Sequence, residues 1–125
     1  MIMRDIFLVA LGGAAGSAAR YVVSRYVGAT VVSAFPWPTF AVNVIGCLII
    51  GMLSALVSSG TLTPPMKLLL VTGFCGGFTT FSTFAGENLS LMRAGSMLLA
   101  ALYVGLSVAC GIIAAYVGMR IVKCL

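Results

Sequence analysis

Charge is nearly missing from this sequence, and histidine is missing altogether. Only 7% of its 125 residues are Asp, Glu, Lys or Arg, and there is no His. A soluble domain carries roughly 25% charged residues. A chain this short leaves a large share of its surface exposed even when folded, so water is a poor solvent for one that is 62% hydrophobic. Lipid is the solvent that fits. With no His and only two acids, Asp5 and Glu87, there is no acid pair and no nucleophile with a base in reach, so enzyme chemistry has no parts to work with. The four cysteines, Cys47, Cys75, Cys110 and Cys124, include no CxxC pair. Three of them sit in apolar segments, where cysteine acts as a small hydrophobe. The net charge of +5 comes from single cations at the ends of apolar segments, with no basic run to follow phosphates, so no nucleic-acid partner is expected. Arg4 stands beside Asp5, which leaves the N-terminal segment without the positive start of a secretory leader. It reads as a retained span.

What is present is length without charge. Residues 26–66 hold 41 uncharged positions, residues 68–86 hold 19, and residues 94–119 hold 26. Crossing a bilayer takes about 20 predominantly apolar residues. The first gap contains a loop as well as a span, because Phe35-Pro36-Trp37-Pro38 interrupts it with turn chemistry. The pattern predicts helices at about Ile6–Tyr26, Pro38–Ser58, Pro64–Leu91 and Gly95–Val122, with Thr63 capping the third ahead of Pro64 and Pro65. Trp37, Tyr21 and Tyr26 stand where interfacial aromatics belong. The expected fold is all-α and integral to the membrane, one four-helix transmembrane domain over residues 1–125.

Four spans put both termini on one side. That side carries Arg4, Lys67, Arg120 and Lys123, against Arg20, Arg25 and Arg93 on the other. A protein with one fixed orientation shows a clear cation excess facing the cytoplasm, and four against three is almost none. Insertion both ways up is therefore permitted, and an antiparallel homodimer with its twofold axis in the membrane plane follows from it. A single topology with weak signals is the alternative. The fifteen glycines point to close helix packing: Gly12 and Gly16 form GxxxG, and Gly105 with Ala109 and Gly111 with Ala115 repeat the small-xxx-small spacing.

The segment Thr72–Phe84 places Gly76-Gly77 and Thr79-Thr80 in mid-span, where both weaken a helix. The expectation is a third helix broken near its centre. Freed backbone at that depth is tolerated only in protein or against a cavity, where carbonyls make a cation site and amides an anion site. A kinked packing helix is the plain alternative. Phe81 and Phe84 share a face and suit a core, yet their ring edges carry the partial positive charge that an anion seeks. Asn43 reads equally as interhelical glue or as an N–H donor to an anion. Arg20 reads as a snorkelling cation or as an attractor of anions, and Glu87 as snorkelling or paired with a cap. Tyr103 and Ser107, four apart, extend a polar line on the last helix.

These residues resemble the Fluc/CrcB family of fluoride channels over essentially the whole chain. The resemblance runs through Gly12-Gly13, Gly16 and Arg20-Tyr21, then Thr39, Asn43 and Gly46. It is most specific in the string Gly73-Phe74-Cys75-Gly76-Gly77-Phe78-Thr79-Thr80-Phe81-Ser82-Thr83-Phe84. It implies a dual-topology homodimer in the cell inner membrane, passing fluoride passively through two antiparallel pores. It further implies that Phe81 and Phe84 turn ring edges to fluoride and that Asn43 is the pore amide. Ser82, Thr83, Tyr103 and Ser107 would form a polar track beside them, and Arg20 would stand at a vestibule. The backbone carbonyls of Gly76 and Thr79 from both subunits would hold a structural sodium ion. Gly111 departs from the pattern, since some relatives carry a second serine there. Two other functions compete. A small dual-topology, proton-coupled exporter of cationic compounds would need a central carboxylate, for which Glu87 is the sole candidate. A non-conducting assembly subunit would make Asn43 and the Gly-Gly/Thr-Thr segment dispensable.

Overall fold

The computed structural model describes residues 2–30 and 33–125. Among them every regular element is helical, and four helical spans are long and apolar enough to cross a membrane. Helix α1 is Ile2–Thr30 and α2 is Trp37–Ser58. The third span, Pro64–Arg93, is composite: α3 (Pro64–Lys67), a π-helical segment (Leu68–Cys75), α4 (Gly76–Phe78) and α5 (Phe81–Arg93). Helix α6 is Met97–Lys123.

The first helix extends past both ends of the predicted Ile6–Tyr26. Arg4, Asp5 and Arg25 remain helical, because at headgroup depth a charge does not oppose a helix. No Gly-Pro punctuation stops the chain there, and Thr30 Oγ1 bonds back to the carbonyls of Tyr26 (3.2 Å) and Val27 (3.1 Å). At about 1.5 Å per residue, 29 residues run some 44 Å, well beyond a hydrocarbon core of about 30 Å. The predicted cap on the third span is in place: Thr63 Oγ1 accepts from Met66 N–H at 3.4 Å, with the prolines in the first turn. The predicted start of the last helix is corrected by two residues. Gly95 ends the preceding helix, at φ +82, with Gly95 N–H on Met92 O (3.1 Å) and Ser96 N–H on Leu91 O (2.8 Å). That paired arrangement is a Schellman closure and needs a left-handed residue, which glycine supplies without strain. Gly60, at φ +77, closes α2 in the same way.

Two glycine seams hold the bundle together. In the first, α1 lies against the π segment and α4. A Cβ on Gly12 would strike Leu69 O, one on Gly16 would strike Phe74 O, and one on Gly77 would lie 2.6 Å from Gly13 O. The helices touch backbone to backbone, as the GxxxG spacing predicts. In the second seam α2 lies along α6. There Gly51 faces the carbonyl of Ala115 and Gly118 faces that of Leu48. Gly111 meets only Cys47 Sγ, and Gly105 has nothing within 4 Å, so the Gly105/Ala109 pair is not part of this seam. Large side chains such as Phe7, Val22, Leu98 and Ile112 point outward from α1 and α6. In a lipid solvent that is the expected side for them.

Candidate functional site

The centre of the third span is where backbone pairing changes hands. Residues Thr79 (φ −84, ψ 157) and Thr80 (φ −147, ψ 117) are extended, and helix resumes at Phe81. Extended backbone between two helices strands polar groups that hydrocarbon cannot satisfy. Several of them have specific partners. Asn43 on α2 takes both groups of Thr80: Thr80 N–H donates to Asn43 Oδ1 (3.0 Å), and Asn43 Nδ2 donates to Thr80 O (3.2 Å). Thr80 Oγ1 caps α5 by accepting from Thr83 N–H at 3.2 Å. Cys75 O accepts twice from Thr79, from its N–H at 3.0 Å and its Oγ1 at 2.8 Å. From α1, Arg20 Nε reaches across to donate to Gly77 O at 3.1 Å.

These exchanges leave several carbonyls without the donors a continuous helix would give them. In a continuous helix Gly76 O would accept from Thr80 N–H, which Asn43 has taken. Thr79 O would accept from Thr83 N–H, which Thr80 Oγ1 has taken. Gly77 O is supplied by Arg20 and Thr80 O by Asn43. So the oxygens of Gly76, Phe78 and Thr79 lack their helical donors, Phe78 O because Ser82 N–H lies beyond the extended pair; such oxygens are of the kind a hard cation prefers. Among the described residues no three His, Cys, Asp or Glu side chains come close enough to hold a metal, so any cation here rests on main-chain oxygen.

A cavity of about 510 Å³ opens beside this point. Asn43, Gly76, Thr79, Thr80, Phe81, Phe84 and Ser107 line it, with apolar Ile50, Val71 and Val108 completing the wall. Phe81 stands 79% exposed, while Phe84 is half-buried with its ring centre 5.8 Å from that of Phe81. Ser107 Oγ is buried there without a hydrogen-bond partner, a donor held in an otherwise apolar wall.

The polar track divides in this structure. Tyr103 is fully buried, edge-on to Phe84 at 4.8 Å, and its hydroxyl donates to Glu87 Oε1 at 2.9 Å. Thr39 Oγ1 donates to Glu87 Oε2 at 3.0 Å. Thr83 and Glu87 share a second recess of about 480 Å³ with Gly86 and Ser90, whereas Ser82 is exposed and lines neither cavity. Sequence reasoning gave Thr39 no role and read Glu87 as snorkelling or capped. The signal that points to this trio is the chemistry of an acid within a span, which requires donors at its own depth; two hydroxyls, from α2 and α6, supply them. Arg20 was read as snorkelling or as an anion attractor, and its bond to Gly77 O adds a third task that spacing could not reveal.

A family model described as CrcB-like protein, camphor resistance (CrcB), matches residues 7–119. The chain is similar to a protein of Flavobacterium psychrophilum named fluoride-specific ion channel FluC, 42% identical over 97% of this chain and 98% of that one. It is similar also to proteins of the same name from Methylobacillus flagellatus, 49% identical over 97% and 96% of the two chains, and from Chlorobaculum tepidum, 48% identical over 98% of each.

Proposed function

The chain belongs to the CrcB-like protein family, and on that premise we propose that it is a fluoride-selective channel of the cell membrane, letting fluoride leave passively. The observation that carries this reading is the interrupted third span beside a cavity whose wall is apolar except for a few fixed donors. Fluoride is small and holds its water tightly, so a path through lipid must replace that water step by step. Here the replacements are the second N–H of the Asn43 amide, the orphaned Ser107 hydroxyl and the positive ring edges of Phe81 and Phe84. Ser82, Thr83 and Tyr103 continue the route in this proposal, and Arg20 draws anions toward its mouth. Selectivity over chloride rests on a narrow path with few adaptable ligands.

The active unit in this reading is an antiparallel homodimer with two pores. The near-even cation count permits both orientations, and Phe81, 79% exposed at the cavity rim, suits a site finished by a second copy. The released oxygens of Gly76 and Thr79, two from each subunit, would hold a structural sodium ion on the twofold axis. When bound, that ion supplies a fixed positive charge at mid-membrane, where an anion is most costly. The pair of oxygens is a fitting donor set for it, being hard, uncharged and free of helical bonds. Fluoride efflux from liposomes containing the purified protein tests the function. Rapid efflux is expected; vesicles that hold fluoride despite containing folded protein would refute the channel.

A further inference from the structure

Arg20 lies on α1, its side chain half-buried, and it spends its Nε–H on the carbonyl of Gly77. That oxygen sits between the two carbonyls proposed above as sodium ligands. Had Gly77 O stayed unpaired, all four carbonyls from Gly76 to Thr79 would lack donors, with nothing to orient the segment between Cys75 and Thr80. The contact is also held on both sides. A Cβ on Gly77 would lie 2.6 Å from Gly13 O, so the α1 backbone is pressed against the same residue that Arg20 grips about two turns further on. Asn43 fixes the other end of the segment from α2 through Thr80. The extended pair is therefore anchored from two different helices, one anchor on each flank of Thr79.

We propose that Arg20 is a positioning residue for the central cation. By occupying the Gly77 oxygen, it takes that one out of the contest and fixes the direction of the oxygens of Gly76 and Thr79 on either side of it. This rests on the sodium reading above. A purely electrostatic role for Arg20, attracting anions to a vestibule, makes the opposite forecast. A guanidinium beside a cation site repels the cation, so its removal would then tighten sodium binding or leave it unchanged.

The sign of the effect separates the two. Glutamine carries Nε2 on Cδ, where arginine carries Nε, so Arg20→Gln keeps a donor in the same place without the charge. Arg20→Met keeps the stem and removes both. Thermal stability of the purified protein, titrated with sodium against potassium at constant ionic strength, reports the sodium affinity without any fluoride flux. The expected result is that Arg20→Met raises the half-saturating sodium concentration about tenfold or more, the scale of a lost charge-assisted hydrogen bond. Arg20→Gln is expected to bind sodium no more weakly than the unsubstituted protein. If Arg20→Met binds sodium equally well or more tightly, the positioning role is overturned. If Arg20→Met does not fold, Arg20→Glu decides, since replacing the donor by an acceptor weakens sodium binding if Arg20 positions and strengthens it if only its charge matters. A wild-type protein indifferent to sodium would instead remove the sodium reading itself, and the inference with it.

Discussion

At the scale of single residues, the centre of the molecule is held by few contacts. Asn43 supplies two bonds to the main chain of Thr80, and nothing else reaches those groups. Asn43→Ala should leave a part-buried N–H and C=O unpaired, at up to about 1–3 kcal/mol each. Thermal unfolding of the purified protein should show a correspondingly lower midpoint, and an unchanged midpoint would mean that Thr80 has found other partners. Phe81 is the opposite case. Its ring is 79% exposed in the protomer and contributes little to the fold. Phe81→Ile should therefore leave folding and dimerisation intact while abolishing fluoride efflux, because an aliphatic group has no positive edge. Retained efflux in that variant would dismiss the ring-edge mechanism. The sequence offered Asn43 as interhelical glue or as an N–H donor to an anion, and Phe81 as core or as a ring edge for one. It could not show that both faces of the Asn43 amide are committed to one residue, because that pairing joins two helices 37 positions apart.

At the scale of elements, spacing revealed some packing seams and missed others. Gly12 and Gly16 announced close approach and make it, against Leu69 O and Phe74 O. Gly51 and Gly118 make equally close contacts across α2 and α6 but carry no GxxxG signature, and their partners, Ala115 and Leu48, are identifiable only once the helices are docked. Gly105 matched the spacing and meets nothing. Substitution distinguishes the three. Gly16→Ala and Gly51→Ala should each force two backbones apart and sharply lower the yield of folded protein. Gly105→Ala should be neutral or slightly stabilising in the protomer, by up to about 1 kcal/mol of helix propensity. Size-exclusion profiles and unfolding midpoints in one detergent check all three, and equal behaviour of Gly16→Ala and Gly105→Ala would contradict the seam. The helix ends were partly legible. Thr63 could be recognised as a cap from its prolines, whereas the start of α6 was misplaced because Gly95 serves the helix before it. A glycine between two helices does not declare which one it closes. The π-helical turn at Leu68–Cys75 left no mark in the sequence, since hydrogen-bond register within a helix is set by what packs against it.

At the scale of the whole molecule, composition had already fixed the solvent: four apolar spans make this a multi-pass membrane protein. The function follows from the family and from one interrupted span rather than from composition. The competing carrier reading would require Glu87 to release and rebind protons as its cargo moves, yet both of its carboxylate oxygens accept from hydroxyls, Thr39 and Tyr103. A channel has no need of such exchange. Three lysines added to the loop around Gly95 should bias insertion toward a single topology, and efflux should fall with it if antiparallel pairing is required. The most direct measurement of the central claim is the reversal potential of single proteins in a planar bilayer, with opposed gradients of fluoride and of pH and with chloride as the other anion. Reversal is expected at the fluoride equilibrium potential, insensitive to pH and to chloride. A reversal potential that follows the proton gradient, or a current carried by chloride, would contradict it.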